Sequence, residues 1–344
     1  MRKPGLLYAA LLGGLLAAVA VPVKAGPEYE FDRHQLEAML DDMKTWLPGA
    51  WDSYPQVWYE RNVAMPAEGE HEHWHRTFAL IDAPQVGTTV FYGQINIDGR
   101  DGPIMARSQV LYKAVIDEER RVINIAGQPL AEPERFANLH DHPELWSEVR
   151  MRDEAALNCD FIWRRDGRQL VGVLEGKTPE GRQYGPGTCS YTASSGAEFF
   201  GDAEWVLTPD ELWLYDINKL RGVQFIGRAD RTHIRLYRAR PYTCELATPG
   251  TKSPQSFEAH DRGYTVQVLG EGGKPQEWLL LRAWYPVTDG KGLADQLRLM
   301  RVDAESGDTL AMTAAEPLAA TIALEIGGAG MQCTREQAFP PMAQ

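Results

Sequence analysis

The chain has 344 residues, with 35 Lys and Arg against 48 Asp and Glu, a formal charge of −13. A body this acidic is a poor general binder of nucleic acid or anionic lipid, because phosphate contacts need clustered Lys and Arg. A hydrophobic content of 44% with 10% aromatics supports a packed core and excludes wholesale disorder, while 32 Gly and 22 Pro point to many turns and a β-rich fold.

Residues 1–25 read as a secretory signal. Arg2 and Lys3 form a charged start, Leu6 to Val21 an apolar stretch, and Val23-Lys24-Ala25 a cleavage site. The competing reading is an uncleaved anchor, but Gly13-Gly14 and Pro22 interrupt the span and leave it marginal. Cleavage would leave 32 basic against 48 acidic residues, a charge of −16. No later segment is long and apolar enough to cross a bilayer. The expected product is exported and periplasmic, with no integral membrane segment.

Asp32-Arg33-His34-Gln35 resembles a capping box, and Leu36, Leu40, Met43 and Leu47 then recur at helical spacing until Pro48-Gly49. After Gly49 the period changes to two. Strands are predicted at 89–97, 109–116 and 121–125, a short helical insertion at 133–146, and further strands at 159–163, 169–174, 203–207, 212–215 and 232–237. About eight to ten antiparallel strands with short turns suggest a closed meander barrel. Thr248-Pro249-Gly250 reads as a linker into a smaller β unit with strands at 264–268, 278–285, 296–302 and 321–326. The expected division is a signal at 1–25, a barrel domain at 26–247 and a β-rich extension at 248–344.

Four cysteines, Cys159, Cys189, Cys244 and Cys333, suggest two disulfides in an exported chain. Of three pairings, Cys159–Cys189 and Cys244–Cys333 is preferred, the second tying the C-terminal segment to the barrel domain. No C-x-x-C, G-x-S-x-G or P-loop is present, and no nucleotide cofactor is expected. His71-Glu72-His73-Trp74-His75 is the most unusual string. In a strand, His71, His73 and His75 share one face at ~6.6 Å spacing, which suits zinc or copper. The alternative is the polar face of an exposed strand with Trp74 in the core. It is the favoured one, so no metal cofactor is expected.

A family pattern emerges from motifs in order: Trp46-Leu-Pro-Gly49-Ala-Trp51-Asp-Ser53-Tyr-Pro-Gln56, Val90-Phe-Tyr92-Gly-Gln94, Ala106-Arg107-Ser-Gln109-Val-Leu, Pro133-Glu-Arg-Phe136, Leu157-Asn-Cys159 and Cys189. Over residues 36–244 the chain resembles the CpcT/CpeT family of phycobiliprotein chromophore lyases. The resemblance implies a lipocalin-like calyx barrel, often dimeric. It also implies a bilin (an open-chain tetrapyrrole) bound as substrate and its thioether attachment to a cysteine of an acceptor protein. Position by position it assigns ligand contact to Trp51, Ser53, Gln56, Tyr92, Gln94, Arg107 and Gln109, and supports the Cys159–Cys189 pair; no catalytic residue is assigned. Three positions depart from the family pattern: Gly93 stands for its Glu, Ala106 for its Tyr and Gln109 for its second Arg, so one bidentate carboxylate clamp is lost. The lyase expectation therefore has a rival, a non-catalytic periplasmic carrier of a tetrapyrrole or another hydrophobic ligand. The fold expectation is mainly β: a calyx barrel with an N-terminal helix and a small C-terminal β domain.

Overall fold

A computed structural model describes residues 33–62, 66, 69–152, 159–176, 189–192, 196, 198–228, 230, 232–250, 252–269, 273–287 and 291–336. The expected signal at 1–25, the cap residue Asp32 and the Gly-rich approach to Cys189 lie outside them.

Helix α1 (Arg33–Trp46) turns Leu36, Met39, Leu40 and Met43 inward, as its spacing predicts. Strand β1 (Gly49–Asp52) and helix α2 (Tyr54–Asn62) follow. The barrel continues through β2 (Trp74–Ile81), β3 (Val90–Ile97), β4 (Val110–Asp117), β5 (Val122–Pro129), β6 (Cys159–Asp166), β7 (Gln169–Gly176), β8 (Cys189–Thr192), β9 (Glu198–Leu207), β10 (Glu211–Leu220), β11 (Val223–Ile226) and β12 (Ile234–Ala239). Ten of these strands close a ring in the order β10-β12-β1-β2-β3-β4-β5-β6-β7-β9, sealed by β9 against β10. Strands β8 and β11 extend its edges.

Residues paired in register share a face of the sheet. One face carries Trp51, Arg76, Phe78, Gly93, Tyr112, Trp163, Trp205, Leu214 and Asp216. This face is the lumen, because the Arg76 guanidinium on β2 lies 4.3 Å over the Trp205 ring on β9, and those strands are not neighbours in the ring. Trp205 also meets Phe78, Tyr112, Phe161 and Trp163. Two glycines admit these rings. A Cβ on Gly172 would sit 2.4 Å from Trp163, and one on Gly93 2.9 Å from Tyr112 and 3.0 Å from Phe78. The lumen is thus an aromatic core. A void lined by Trp74, Leu214, Asp216 and Ile234 holds only about 20 Å3, room for a single water.

Helix α1 lies at the end of the barrel where the β4–β5, β6–β7 and β9–β10 turns gather. Arg33 pairs with Glu118, Arg165 with Asp42, and Arg238 donates to the carbonyls of Trp46, Pro48 and Pro209. On the outer wall, Ile81, Val90, Tyr92, Leu111 and Leu130 form a second core with Phe136, Leu139 and Val149. The segment that covers it was expected to be helical; it forms two 3-10 turns, Leu139–Asp141 and Pro143–Glu148, the first entered through the left-handed Asn138.

The rest of the chain is a sandwich of two four-stranded sheets. One has the order β14 (Gln255–His260), β13 (Pro241–Ala247), β20 (Ala329–Arg335), β19 (Thr321–Ile326). The other runs β15 (Arg262–Leu269), β16 (Pro275–Pro286), β17 (Leu293–Asp303), β18 (Thr309–Ala315). Tyr242, Leu246, Trp278, Leu280, Leu297, Leu299, Ile322 and Met331 fill it. The far face of β16 packs Leu281 and Tyr285 on Tyr54 and Trp58 of α2, so this helix is the wedge between sandwich and barrel. Both expected disulfides form. Cys244 stands directly opposite Cys333 on neighbouring strands of one sheet. The bond therefore staples the sandwich to itself and does not tie it to the barrel. The chain changes sheet at Arg240-Pro241, ahead of the expected boundary at 247, the proline opening the new strand. Thr248-Pro249-Gly250 is the β13–β14 hairpin turn.

Candidate functional site

The densest chemistry lies where β1, the start of β2 and the β14–β15 corner meet. Asp52 alternates with the lumen-facing Trp51 and so points out of the barrel, where α2 and the sandwich bury it completely. Its Oδ1 accepts the Tyr54 backbone N–H at 2.8 Å and faces His73 Nε2 at 2.9 Å. Its Oδ2 faces His75 Nδ1 at 2.9 Å and, from the sandwich, His260 Nε2 at 3.7 Å. The His75 and His260 rings lie 5.0 Å apart, and Arg262 N–H reaches His260 Nδ1 at 3.2 Å. Burial by itself would raise the Asp52 carboxyl. The charge and hydrogen bond of His73, then the hydrogen bond of His75 and the charge of His260, outweigh it and hold Asp52 well below the usual carboxylate range. Burial pushes the His260 imidazole down to about 3, partly offset by Asp52.

His140, on the strap that covers the outer wall, also feels the charge of His75 and is lowered chiefly by burial; its Nδ1 has no hydrogen-bond partner. Three of the eight histidines thus gather around one aspartate.

The expected histidine trio is split. His71 and His73 precede β2, so the strand geometry that would align three rings does not hold. His71 leaves the group, with Nδ1 2.6 Å from Glu60 Oε1 and Nε2 3.1 Å from the Thr232 hydroxyl. His73 and His75 stay together because Asp52 accepts from both. Asp52 lies within the Trp51-Asp-Ser53 motif with no signal of its own, and His260 carries no spacing signal. The one hint in the sequence is the polar run His260-Asp261-Arg262 breaking an apolar alternation.

Of the residues that the resemblance nominates, Trp51 is in the lumen, its indole donating to Leu47 O at 2.9 Å beneath the Arg238 guanidinium. Ser53 Oγ accepts the Trp74 N–H at 2.8 Å and anchors the start of α2. Gln56 ties α2 to β12 by accepting the Arg235 N–H at 2.7 Å. Tyr92, Gln94 and Gln109 do come together, but on the outer wall. Tyr92 OH donates to Gln94 Oε1 at 2.7 Å, Gln94 Nε2 donates to Asn138 at 2.8 Å, and Gln109 Nε2 donates to the carbonyls of Pro133 and Phe136 at 2.9 and 3.0 Å. They hold the strap against the barrel. Burial raises the Tyr92 hydroxyl to about 12, so it serves as a neutral donor. Arg107 is not with them: it is exposed on the β3–β4 loop, at φ 65°.

No family model matches the chain, and no curated protein matches it. Among solved structures it is similar to the selenomethionine form of the CRL protein of Arabidopsis, at 12% identity and a TM-score of 0.41, over 59% of this chain and 97% of that one.

Proposed function

We propose that this is an exported, non-catalytic binding protein whose site is the aspartate-centred histidine cluster at the junction of barrel and sandwich. The observation that carries the reading is the convergence on Asp52 of His73 and His75 from one end of the barrel and His260 from the sandwich, with Asp52, His75 and His260 buried and His73 half-buried. Buried ionisable groups are costly to keep in a fold, and they concentrate where a protein binds or reacts. Two disulfides suit an oxidising compartment such as the periplasm.

The rival reading, a bilin lyase, rests on the motif order and needs room for a tetrapyrrole. Among the described residues the lumen is filled by Trp51, Phe78, Tyr112, Trp163 and Trp205. A second hollow, about 610 Å3, lies outside β4 and β5 and is lined by Asp117, Glu118 and Glu119 against the single cation Lys113, a net negative wall that disfavours propionates. Two measurements decide between the readings. Native mass spectrometry of protein purified from its own compartment should show a bound mass that Asp52→Asn loses. Incubation with phycocyanobilin and a cysteine-bearing acceptor should leave the acceptor unlabelled. Identical masses for wild type and variant, or covalent transfer of the bilin, would overturn the proposal.

A further inference from the structure

We infer that Asp52, His75 and His260 bind one divalent transition-metal ion, with zinc the expected occupant. This rests on the junction being the binding site and names its ligand class.

The three ligand atoms all lie within 4.8 Å of one another and all three residues are buried. An ion bound tetrahedrally at 2.0–2.1 Å from each ligand sets ligand-to-ligand separations of about 3.3 Å. The separations from Asp52 Oδ2 are 2.9 Å to His75 and 3.7 Å to His260, on either side of that value, and the two imidazole nitrogens lie within 4.8 Å of each other, so the rings would close on the ion by turning toward it.

The donor set is two imidazoles and one carboxylate, which selects zinc and its neighbours over calcium or magnesium. The outer shell is also in place. Oδ1 of Asp52 is already held by the Tyr54 N–H and His73, which aims Oδ2 at the two rings, the arrangement that orients metal-bound carboxylates. A fourth position remains for water or an exchangeable ligand. Binding through His260 Nε2 requires its Nδ1 to carry the proton, and binding through His75 Nδ1 requires that nitrogen to lose its proton, so the contacts from Arg262 N–H to His260 and from His75 to Asp52 Oδ2 are the hydrogen bonds exchanged for the ion. The ion would join the barrel to the sandwich across 185 residues of chain, from His75 to His260.

The test uses the exported chain with both disulfides formed, free of any affinity tag and dialysed against chelator. Titration with Co2+ should give visible d–d bands that saturate at one equivalent and vanish on adding Zn2+. Zinc should raise Tm, and one equivalent should survive gel filtration. His75→Gln and His260→Gln should each weaken binding at least a hundredfold, while His71→Gln leaves it unchanged. X-ray absorption of the zinc-loaded wild type should show two imidazoles and light-atom donors near 2.0 Å, and this needs no variant to fold. Absence of stoichiometric Co2+ and Zn2+ binding, or binding undiminished in a folded His260→Gln, would overturn the inference. If native mass spectrometry still shows an Asp52-dependent mass without metal, the binding reading stands and only the metal falls; if that mass is also absent, both fall.

Discussion

Replacing Trp205 tests whether the lumen is a core or a pocket. Trp205 is 4% exposed and sits at the centre of five partners: Phe78, Tyr112, Phe161 and Trp163, with ring centroids 4.8 to 6.2 Å away, and the Arg76 guanidinium at 4.3 Å. Truncating a buried Trp to Ala removes about 3–5 kcal/mol through lost burial and the cavity left behind. Loss of the desolvated cation–π contact adds ~1–2 kcal/mol. A total near 5 kcal/mol is expected for Trp205→Ala. Trp205→Phe should lose much less, about 1–2 kcal/mol, because the indole Nε1 makes no hydrogen bond that Phe would forfeit. Urea unfolding at neutral pH with the disulfides intact, followed by near-ultraviolet circular dichroism, gives both values. The new space should also let Trp205→Ala bind an apolar dye such as anilinonaphthalene sulfonate that the wild type ignores. A loss under 2 kcal/mol for the Ala variant, or stoichiometric dye or bilin binding by the wild type with quenched Trp fluorescence, would show that the lumen is a ligand pocket and that its filling has been misread.

Acid should loosen the junction. The His260 imidazole is depressed to about 3, so the unfolded chain binds more protons between about pH 6.5 and pH 3, and stability should fall as pH drops through that window. Asp52, held below its ordinary value, adds a further loss below about pH 4. In a pH series of urea midpoints, His260→Gln should flatten the upper part of this slope; an unchanged slope would show that His260 does not carry it. Asp216 runs the other way. Burial raises its carboxyl to about 6 against the pull of Arg76, so ionising it above that pH is unfavourable, and Asp216→Asn should stabilise the fold at pH 8 by about 1–3 kcal/mol more than at pH 4. A gain independent of pH would argue for a packing effect instead. The Cys244–Cys333 bond closes a separation of 89 residues, for which loop entropy predicts a loss of about 4–5 kcal/mol when both are replaced by Ser; because the bond is internal to the sandwich, barrel Trp signals should unfold last in that variant. Coincident loss of both signals would show that the two parts unfold together.

Much of this protein could be read from local pattern. Period-two alternation located eight of the ten ring strands but not β1 or β2, the 3.6 period located α1, and the even cysteine count anticipated both disulfides. These are consequences of nearest neighbours along the chain, where side-chain direction follows from backbone period. The strand-to-strand switch at Arg240 was marked by Pro241 alone, a residue that a strand tolerates at its first position, and Tyr242, Cys244 and Leu246 alternate as a continuing barrel strand would. Nor was the face on which a polar residue falls. Tyr92, Gln94 and Gln109 alternate correctly, yet period alone does not say which side of a closed sheet is the lumen; that is decided by which side the aromatics of β2, β4, β6 and β9 fill. The candidate site shows the same divide. His73 and His75 are legible as a pair, since they stand two apart beside a strand. Asp52 and His260 join them only through the packing of α2 and the sandwich against the barrel. The sequence by itself determined that this is an acidic, disulfide-stapled β protein with an aromatic barrel. Only the tertiary structure decided that aromatic side chains fill the barrel and that the aspartate-centred histidine cluster lies outside it, because proximity between residues 52, 75 and 260 is a property of the folded chain and leaves no trace in spacing.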